Sequence, residues 1–252
     1  MKGFKTLLFK ELREQIRTYR LLIVSGVFLF FGLSSPLLLK YLPEIIKASG
    51  QDITGIPLPP PTALESLREY SGNLTQVGVL VVVLISMGAI ASERSRGTAV
   101  MTLSKPVGIG AFVTAKLVAI SSSLIAGLLL GGIGCYGYSQ ILFGNANLSG
   151  FAGETLLQGL FFVFCVASTL VFSAIFKNSL AAGGISIGIL VTGAVFTQLP
   201  WIGRAIPNSL TTWGNHLLAG ESGTEWLALA VTALLIVLLA YLATIILKRK
   251  EI

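Results

Sequence analysis

The sequence predicts an all-α integral membrane protein with six transmembrane helices, and three observations support this fold class. Six apolar stretches of about 18 or more residues are each long enough for a helix to cross a ~30 Å hydrocarbon core. All charged residues, 18 Lys and Arg and 11 Asp and Glu, lie outside these stretches. The mean hydropathy of +0.83 is far above that of a soluble domain. The predicted spans are Leu21–Leu39, Leu74–Ala91, Leu117–Phe143, Thr155–Phe176, Ser179–Gly203 and Trp226–Leu247.

The segment Met1–Arg20, before the first span, predicts an amphipathic helix that lies on the membrane surface. Its apolar residues recur at helical spacing, and its basic residues occupy the other faces, near anionic headgroups. The alternative is a basic topology signal without defined structure. The apolar stripe comprises Phe4, Leu7, Leu8, Leu12, Ile16 and Tyr19, and the basic residues are Lys5, Lys10, Arg13, Arg17 and Arg20.

The first two spans are joined by Lys40–Asn73, a predicted outer loop of about 34 residues. Four prolines, at position 57 and positions 59–61, bias part of it toward polyproline-II geometry. A stiff spacer or a small outer cap is the expected structure.

The connection Ser92–Lys116 joins the second and third spans. Thr98 is placed to cap a short helix, Ala99–Leu103, and Ser104-Lys105-Pro106 predicts a break after it. A short amphipathic element held between two rigid spans suits a docking surface for another protein. An ordinary solvated connector is the alternative.

Glycines in the third and fifth spans have the spacing that lets helix backbones approach closely. Gly127 and Gly131 form one such pair, and Gly184 and Gly188 form another. We expect both pairs to pack helices within the chain, although helices that slide during transport would use the same residues. Cys135 and Cys165 lie inside spans, and packing is expected rather than a disulfide or a metal site. We therefore assign no metal ligand to them.

The segment Leu199–Gly220 is apolar but is interrupted by prolines and glycines, so neither half can cross the bilayer alone. It predicts a re-entrant or interfacial segment on the outer side, covered by protein or facing water. His216, the single histidine, is expected to be a polar residue of this interface rather than a ligand.

The basic residues are distributed unequally between the two sides that six spans create. Of the 18 Lys and Arg residues, 14 lie in the termini, in Ser92–Lys116 and at Lys177. The four on the other side are Lys40, Lys47, Arg68 and Arg204. The positive-inside rule therefore places both termini in the cytoplasm of a multi-pass protein of the cell membrane.

Several kinds of chemistry have no matching residues. The chain has no G-x-x-x-x-G-K-[ST] phosphate loop and no H-E-x-x-H motif, so we expect no ATP hydrolysis, cofactor or metal in this chain. No charged residue lies within the apolar stretches, which argues against a proton-driven carrier. The basic residues sit beside helix ends, which argues against nucleic-acid binding. An intramembrane enzyme has no catalytic constellation, so energy is expected to enter from another protein.

Two motifs resemble those of type-2 ABC exporter permeases. Glu93-Arg94-Ser95-Arg96-Gly97-Thr98, then Ser104-Lys105-Pro106-Val107, then Lys116, resembles the E-x-E-x-G-T … P … K loop, with Ser95 at the second acidic position. Lys10-Glu11-Leu12-Arg13-Glu14 with Arg17 resembles the K-E-[LF]-x-E-x-x-R start of the same family. The Ser104-Lys105-Pro106 sequence of the loop is similar to that of the family branch linked to multicopper-enzyme maturation.

The resemblance implies one permease domain over residues 1–252, with an elbow helix in residues 1–20 and an outer gate in residues 199–220. Residues 92–116 would hold the coupling helix, which docks on a separate ATPase that carries ATP and Mg²⁺. Two permease chains would enclose the substrate path as a homodimer or heterodimer. The implied coupling residues are Glu93, Arg94, Arg96, Gly97, Thr98, Lys105, Pro106 and Lys116, and the implied elbow residues are Lys10, Glu11, Arg13, Glu14 and Arg17.

A second class of function remains open at this point. An ATPase can drive a change of shape in a membrane scaffold that works an extracytoplasmic partner, with no cargo crossing. The long outer loop is compatible with that alternative. The residues do not identify a substrate.

Overall fold

The computed structural model of the chain describes residues 3–48, 60–99, 104, 107–197, 199, 203–221 and 224–250. Within these ranges the chain is helical and contains no strand, which confirms the predicted all-α class. Six helices in the described part are long and apolar enough to cross a membrane, as predicted.

Ten α-helices follow one another along the described chain. A π-helical turn, Leu74–Gly78, joins α3 to α4, and a 3-10 turn, Gly203–Ala205, precedes α9. The first span is α2, the second runs from α3 to α5, and the third, fourth, fifth and sixth are α6, α7, α8 and α10. The helices are α1 Phe4–Arg17, α2 Arg20–Ala48, α3 Ala63–Asn73, α4 Val79–Ser86, α5 Gly88–Ser95, α6 Ile109–Phe143, α7 Leu148–Ile175, α8 Ser179–Phe196, α9 Ser209–Leu218 and α10 Trp226–Arg249.

The connection between the first two spans is shorter than predicted, because helices extend into residues 40–73 from both sides. The first span continues to Ala48, and the next helix begins at Ala63. A capping box starts that helix: the Glu65 N–H donates to Thr62 Oγ1 at 3.3 Å, and the Thr62 N–H donates to the Glu65 carboxylate at 3.1 Å. Hydropathy locates the membrane-embedded part of a helix, whereas charged residues can continue it into water. Residues 57 and 59 lie outside the described part.

The third and fourth spans begin earlier than predicted. The third begins at Ile109 rather than Leu117, and the fourth begins at Leu148 rather than Thr155. Lys116 and Glu154 therefore lie inside spanning helices, with only 1% and 2% of their surface exposed. The prediction that the spans contain no charged residue, and the placement of Lys116 in a loop, were wrong. Both side chains are tolerated because the fold gives them polar partners.

The fifth span ends at Phe196, seven residues earlier than predicted, and a short helical segment follows it. In the described part of Leu199–Gly220, α9 packs on the fourth span and on α3. Its residues Leu210 and Trp213 are buried, so this segment is covered by protein on one face. Whether it re-enters the membrane stays a prediction.

The fourth span lies at the centre of the bundle, and the fifth and sixth spans lie at its edge. Of the most apolar 18-residue window of each, 72% is buried in the fourth span, 22% in the fifth and 11% in the sixth. Large apolar surfaces of the fifth and sixth spans therefore remain available to lipid or to another chain.

Close packing is confirmed for the predicted glycine pair of the third span but not for the predicted pair of the fifth, where Gly183 packs closely instead: a Cβ atom on Gly183 would lie 2.7 Å from Met87 Sδ. A Cβ atom on Gly131 would lie 2.5 Å from the Phe28 carbonyl oxygen, and one on Gly127 would lie 3.3 Å from the Ser25 backbone nitrogen. The first and third spans thus meet backbone to backbone. A Cβ atom on Gly184 or Gly188 would meet no described residue within 4 Å, so the predicted packing of that pair is wrong for the part of the chain that the structure describes.

Candidate coupling site

Four charged side chains from three helices form one network, which we call the charge network. It comprises Lys10 and Glu11 of α1, Glu93 of α5 and Lys116 of α6. Lys116 Nζ lies 3.0 Å from both carboxylate oxygens of Glu11 and 2.7 Å from Glu93 Oε1. Lys10 Nζ closes the network at 3.2 Å from Glu93 and 3.3 Å from Glu11. Helices that are distant in sequence are thereby joined through charge-assisted hydrogen bonds.

Burial makes this network energetically important. The side chain of Lys116 is 2% exposed, and those of Glu11 and Glu93 are 5% and 12% exposed. The two lysines and two glutamates balance in charge, which offsets the cost of removing them from water. Deleting one member of such a buried set leaves an uncompensated charge, at a typical cost of ~3–5 kcal/mol.

The remaining member, Lys10, is half-exposed and keeps its charge. Burial alone would lower the pKa of Lys10, but the neighbouring carboxylates of Glu93 and Glu11 hold that pKa above its ordinary value. The edge of the network that faces solvent is therefore positively charged at physiological pH.

The helix α1, which the sequence predicts to be an elbow helix, has three faces, and these explain how Glu11 becomes buried. Leu7, Glu11 and Gln15 recur every four residues and face the protein, where α1 packs against α6. The exposed apolar residues of α1, which include Ile16 at 62%, form a second face. Exposed Arg13 and Arg17 lie on a third. The predicted apolar stripe is thus divided between protein contact and an exposed face, and the interfacial position of α1 stays a prediction.

A second attachment joins the fourth span to the end of the second span. The hydroxyl of Ser173 accepts hydrogen bonds from the Ile90 and Ala91 N–H groups at 3.0 and 2.9 Å. It also donates to the Met87 carbonyl at 2.8 Å. In a regular helix the Ala91 N–H would bond to the Met87 carbonyl itself, so the hydroxyl is inserted into the backbone ladder. This insertion coincides with the break between α4 and α5.

A third attachment involves the last carbonyl groups of the fourth span. Arg94 donates from Nη1 to the Ala174 carbonyl at 2.7 Å, and Lys250 donates from Nζ to the Ile175 carbonyl. Cationic donors are favourable at the C-terminal end of a helix. Partial burial, together with the positive charges of Arg94 and Lys177, lowers the pKa of Lys250. The end of the bundle that holds these groups and the charge network is called the basic end below.

The structure places the predicted coupling residues in different environments. Glu93 and Arg94 have partners within the chain, whereas Arg96 is exposed. Gly97 has a φ of +72°, which confirms the sharp turn predicted there. The Thr98 hydroxyl donates to the Glu93 carbonyl at 3.2 Å. Lys105, Pro106 and most of the predicted short helix, residues 100–103, lie outside the described part of the chain.

Two features of this site were missed by sequence reasoning. The ion pairs of Lys116 with Glu11 and Glu93 join the two motifs quoted above, and opposite charge in the two motifs was the available signal. The role of Ser173 had no sequence signal, because a serine in an apolar stretch usually bonds to its own helix.

Three carboxylates of the site lie close together. Carboxylate oxygens of Glu11, Glu14 and Glu93 lie within 4.8 Å of one another, a spacing that also suits a metal ion. Lysine ammonium groups already bind two of these three carboxylates. The arrangement therefore ties the elbow helix to both ends of the connection between the second and third spans.

Comparison with known proteins gives two matches. A family model described as ABC-2 family transporter protein matches residues 6–217, which include the whole charge network and all of α9 except its last residue. The uncharacterized transmembrane protein YxlG of Bacillus subtilis (strain 168) is 27% identical over 235 residues, which cover 92% of this chain and 91% of that protein. The similarity thus extends over nearly the whole chain.

Proposed function

The chain belongs to the ABC-2 family of transporter membrane proteins, and we propose that it is the permease subunit of an ATP-driven exporter. A separate ABC-type ATPase supplies the energy, and ATP and Mg²⁺ bind to that subunit. The export direction follows from the resemblance of the two motifs to exporter permeases.

The observation that carries the proposal is the charge network. The connection at residues 96–108 leaves the second span just after Glu93 and enters the third span two turns before Lys116. Both ends of the connection are thus fixed, through buried ion pairs, to each other and to the elbow helix. A force applied to the connection by an ATPase moves three helices together, because the pairs resist separation.

The positions of the charged residues suggest two roles, attachment of the connection to the bundle and contact with the ATPase. Glu93, Arg94 and Lys116 have partners within the chain, so they mount the connection on the bundle. Arg96 is exposed beyond the end of α5, where it is available for a carboxylate on the ATPase. Lys105 and Pro106 retain the docking role that the family resemblance implies.

A second permease chain completes the transporter in this proposal. The fifth span exposes Gly184 and Gly188, which are spaced for close helix packing, and a Cβ atom on either would meet nothing within 4 Å among the described residues. A second copy is the occupant that this small-residue face fits best. The substrate path then lies between two permease chains, with α9 at its outer mouth.

The proposed location is the cell membrane, with the basic end in the cytoplasm. The distribution of Lys and Arg residues supports this orientation. An ATPase on the cytoplasmic side is then positioned to reach the connection at residues 96–108.

Purification of the tagged chain from its native membrane tests the proposal. We expect an ABC-type ATPase to copurify, and the complex in liposomes to hydrolyse ATP, whereas the chain alone shows no turnover. Turnover by the chain alone would refute the assignment. Robust turnover without vectorial movement of any solute, together with a retained extracytoplasmic protein, would support the scaffold alternative instead.

A further inference from the structure

Glu154 is a buried acid that the proposed coupling mechanism does not use. It lies on the second turn of α7, about 9 Å from the first residue of that helix at a rise of ~1.5 Å per residue. This position is in the half of the bundle away from the basic end. Only 2% of its surface is exposed, which makes it the least exposed acidic residue of the described spans.

Neutral groups surround this carboxyl. The Ser71 hydroxyl donates to Glu154 Oε1 at 2.5 Å, and α9 covers the side chain, since a Cβ atom on Gly214 would lie 3.0 Å from Glu154 Cγ. Among the described residues, no Lys, Arg or His forms an ion pair with Glu154. A carboxylate in apolar surroundings without a cationic partner is far less stable than the neutral acid.

Two side chains of the helices that enclose this carboxyl have buried polar atoms without a partner in the described structure. Gln158 is 1% exposed, and neither its amide oxygen nor its amide nitrogen forms a hydrogen bond. It lies one turn after Glu154 on the same face, and helical side chains lean toward the preceding turn. The indole Nε1 of Trp213, the residue before Gly214 in α9, is also buried and unpaired. The region is thus supplied with donors and an acceptor beyond those that the fold uses.

The other titratable groups on the packed elements do not supply a compensating charge. On α3, Arg68 and Glu69 are exposed, and Tyr70 is uncharged at neutral pH. On α9, His216 is exposed and bonds to Glu221. Other titratable groups near this end are Glu65 of the α3 cap, Glu225 before α10, and Cys135, Tyr136 and Tyr138 of α6. The other cationic groups of the packed helices lie at the basic end: Arg94 of α5, Lys116 of α6, and Lys248 and Arg249 of α10. Cys165 of α7, Tyr241 of α10 and Glu93 of α5 supply no positive charge.

We propose that Glu154 is a buried proton-binding site, whose carboxyl group holds a proton in the folded protein while Ser71 donates to its carbonyl oxygen. The carboxyl group takes this proton from water and releases it to water. Proton binding therefore neutralises the carboxylate and changes no other bond. The neutral acid seats α9 against α3 and α7. Loss of the proton places a charge beneath α9 and weakens that contact. This site is independent of the ATPase coupling proposed above.

Infrared spectroscopy of the purified full-length chain tests the proposal. At neutral pH we expect a C=O stretching band of a protonated carboxyl group, which shifts in D₂O and is absent in Glu154→Gln. The control Glu69→Gln removes an exposed acid and should keep the band. A wild-type spectrum without the band, or a band of equal strength in Glu154→Gln, would overturn the proposal.

Two measurements guard against a variant that fails to fold. Ser71→Ala should shift the band to higher frequency, because the carbonyl oxygen loses its donor, and an unshifted band would contradict the assignment. Thermal unfolding can be monitored by thiol labelling of Cys135 and Cys165, which are buried in the folded protein. The unfolding midpoint of the wild type should fall as the pH rises. This pH dependence should be smaller in Glu154→Gln. Equal pH dependence, or stabilisation of the wild type alone by Na⁺ or K⁺ at constant ionic strength, would overturn a proton site.

Discussion

At the scale of single residues, Lys116 shows how a charge can be accommodated inside a spanning helix. Its ammonium group contacts two carboxylates and lies 4.9 Å from the centre of the Phe112 ring. The lysine stem is covered by apolar neighbours, while all of the charge is directed at acids from two other helices. The residue is therefore tolerated because of long-range contacts, not because of its position in the sequence.

Replacing Lys116 with Met should destabilise the protein by roughly 3–5 kcal/mol, because Glu11 and Glu93 stay buried after losing their main partner. The measurement is the midpoint of thermal unfolding in detergent, with thiol labelling of the two buried cysteines as the signal. Lys5→Met is the matched control, since Lys5 is an exposed lysine of α1. Equal midpoints for the two variants would contradict the importance assigned to the network.

At the scale of elements, the membrane class and the number of spans were predictable, whereas the ends of the helices were not. Apolar length alone fixes six spans, because lipid requires every backbone group in a span to be paired within its own helix. The ends depend on local caps: Thr62 and Asn147 begin helices inside segments that hydropathy assigns to connections. The Thr62–Glu65 capping box can be recognised in the sequence. It would have placed the start of α3 at Ala63.

The candidate site could be only partly predicted, for a related reason. The motifs include Glu11, Glu93 and Lys116, but charged residues beside a loop are usually solvated, so the ion pairs among them were not predicted. Their pairing depends on α1 folding back against α6, which local sequence does not encode. Ser173 and Glu154 became apparent only when the packing of the fourth span against its neighbours was known.

The Ser173 hydroxyl links the fourth span to the break between α4 and α5. Ser173→Ala should therefore weaken this contact between the fourth and second spans. Two backbone N–H groups lose their acceptor, at a cost of about 1–3 kcal/mol unless the helix straightens. We expect a lower unfolding midpoint and weaker stimulation of the partner ATPase. Ser123→Ala is the control, since Ser123 is buried but bonds only to a carbonyl of its own helix. Equal unfolding midpoints and equal ATPase stimulation in the two variants would show that the Ser173 contact has no role in coupling.

At the scale of the whole molecule, the orientation in the membrane is testable directly in cells. A membrane-impermeant thiol reagent should label Thr62→Cys, which is exposed at the end away from the basic end, and should spare Ser95→Cys. The buried native cysteines should give little background. The opposite labelling pattern would invert the proposed topology.

The assembly of two permease chains makes a second prediction at this scale. Combined Gly184→Leu and Gly188→Leu substitutions should convert dimers to monomers without lowering the unfolding midpoint, because both glycines face open space. Light scattering of the protein in detergent measures the mass. Gly26→Leu, an equivalent change in open space on the first span, is the control. If only the control loses the dimer, the interface between the two chains lies on the first span, and the proposed interface on the fifth span is wrong.

The central claim, that the connection between the second and third spans transmits work from an ATPase through the charge network, is tested most directly with Glu93→Ala. The variant and the wild type would each be coexpressed with the partner ATPase, purified and reconstituted in liposomes. The Glu44→Ala variant, which removes an exposed acid at the other end, serves as control. The account predicts that Glu93→Ala still inserts but loses ATPase copurification or transport-linked ATP hydrolysis, while the control keeps both. Wild-type retention of the ATPase and wild-type hydrolysis in Glu93→Ala would show that the connection has no coupling role.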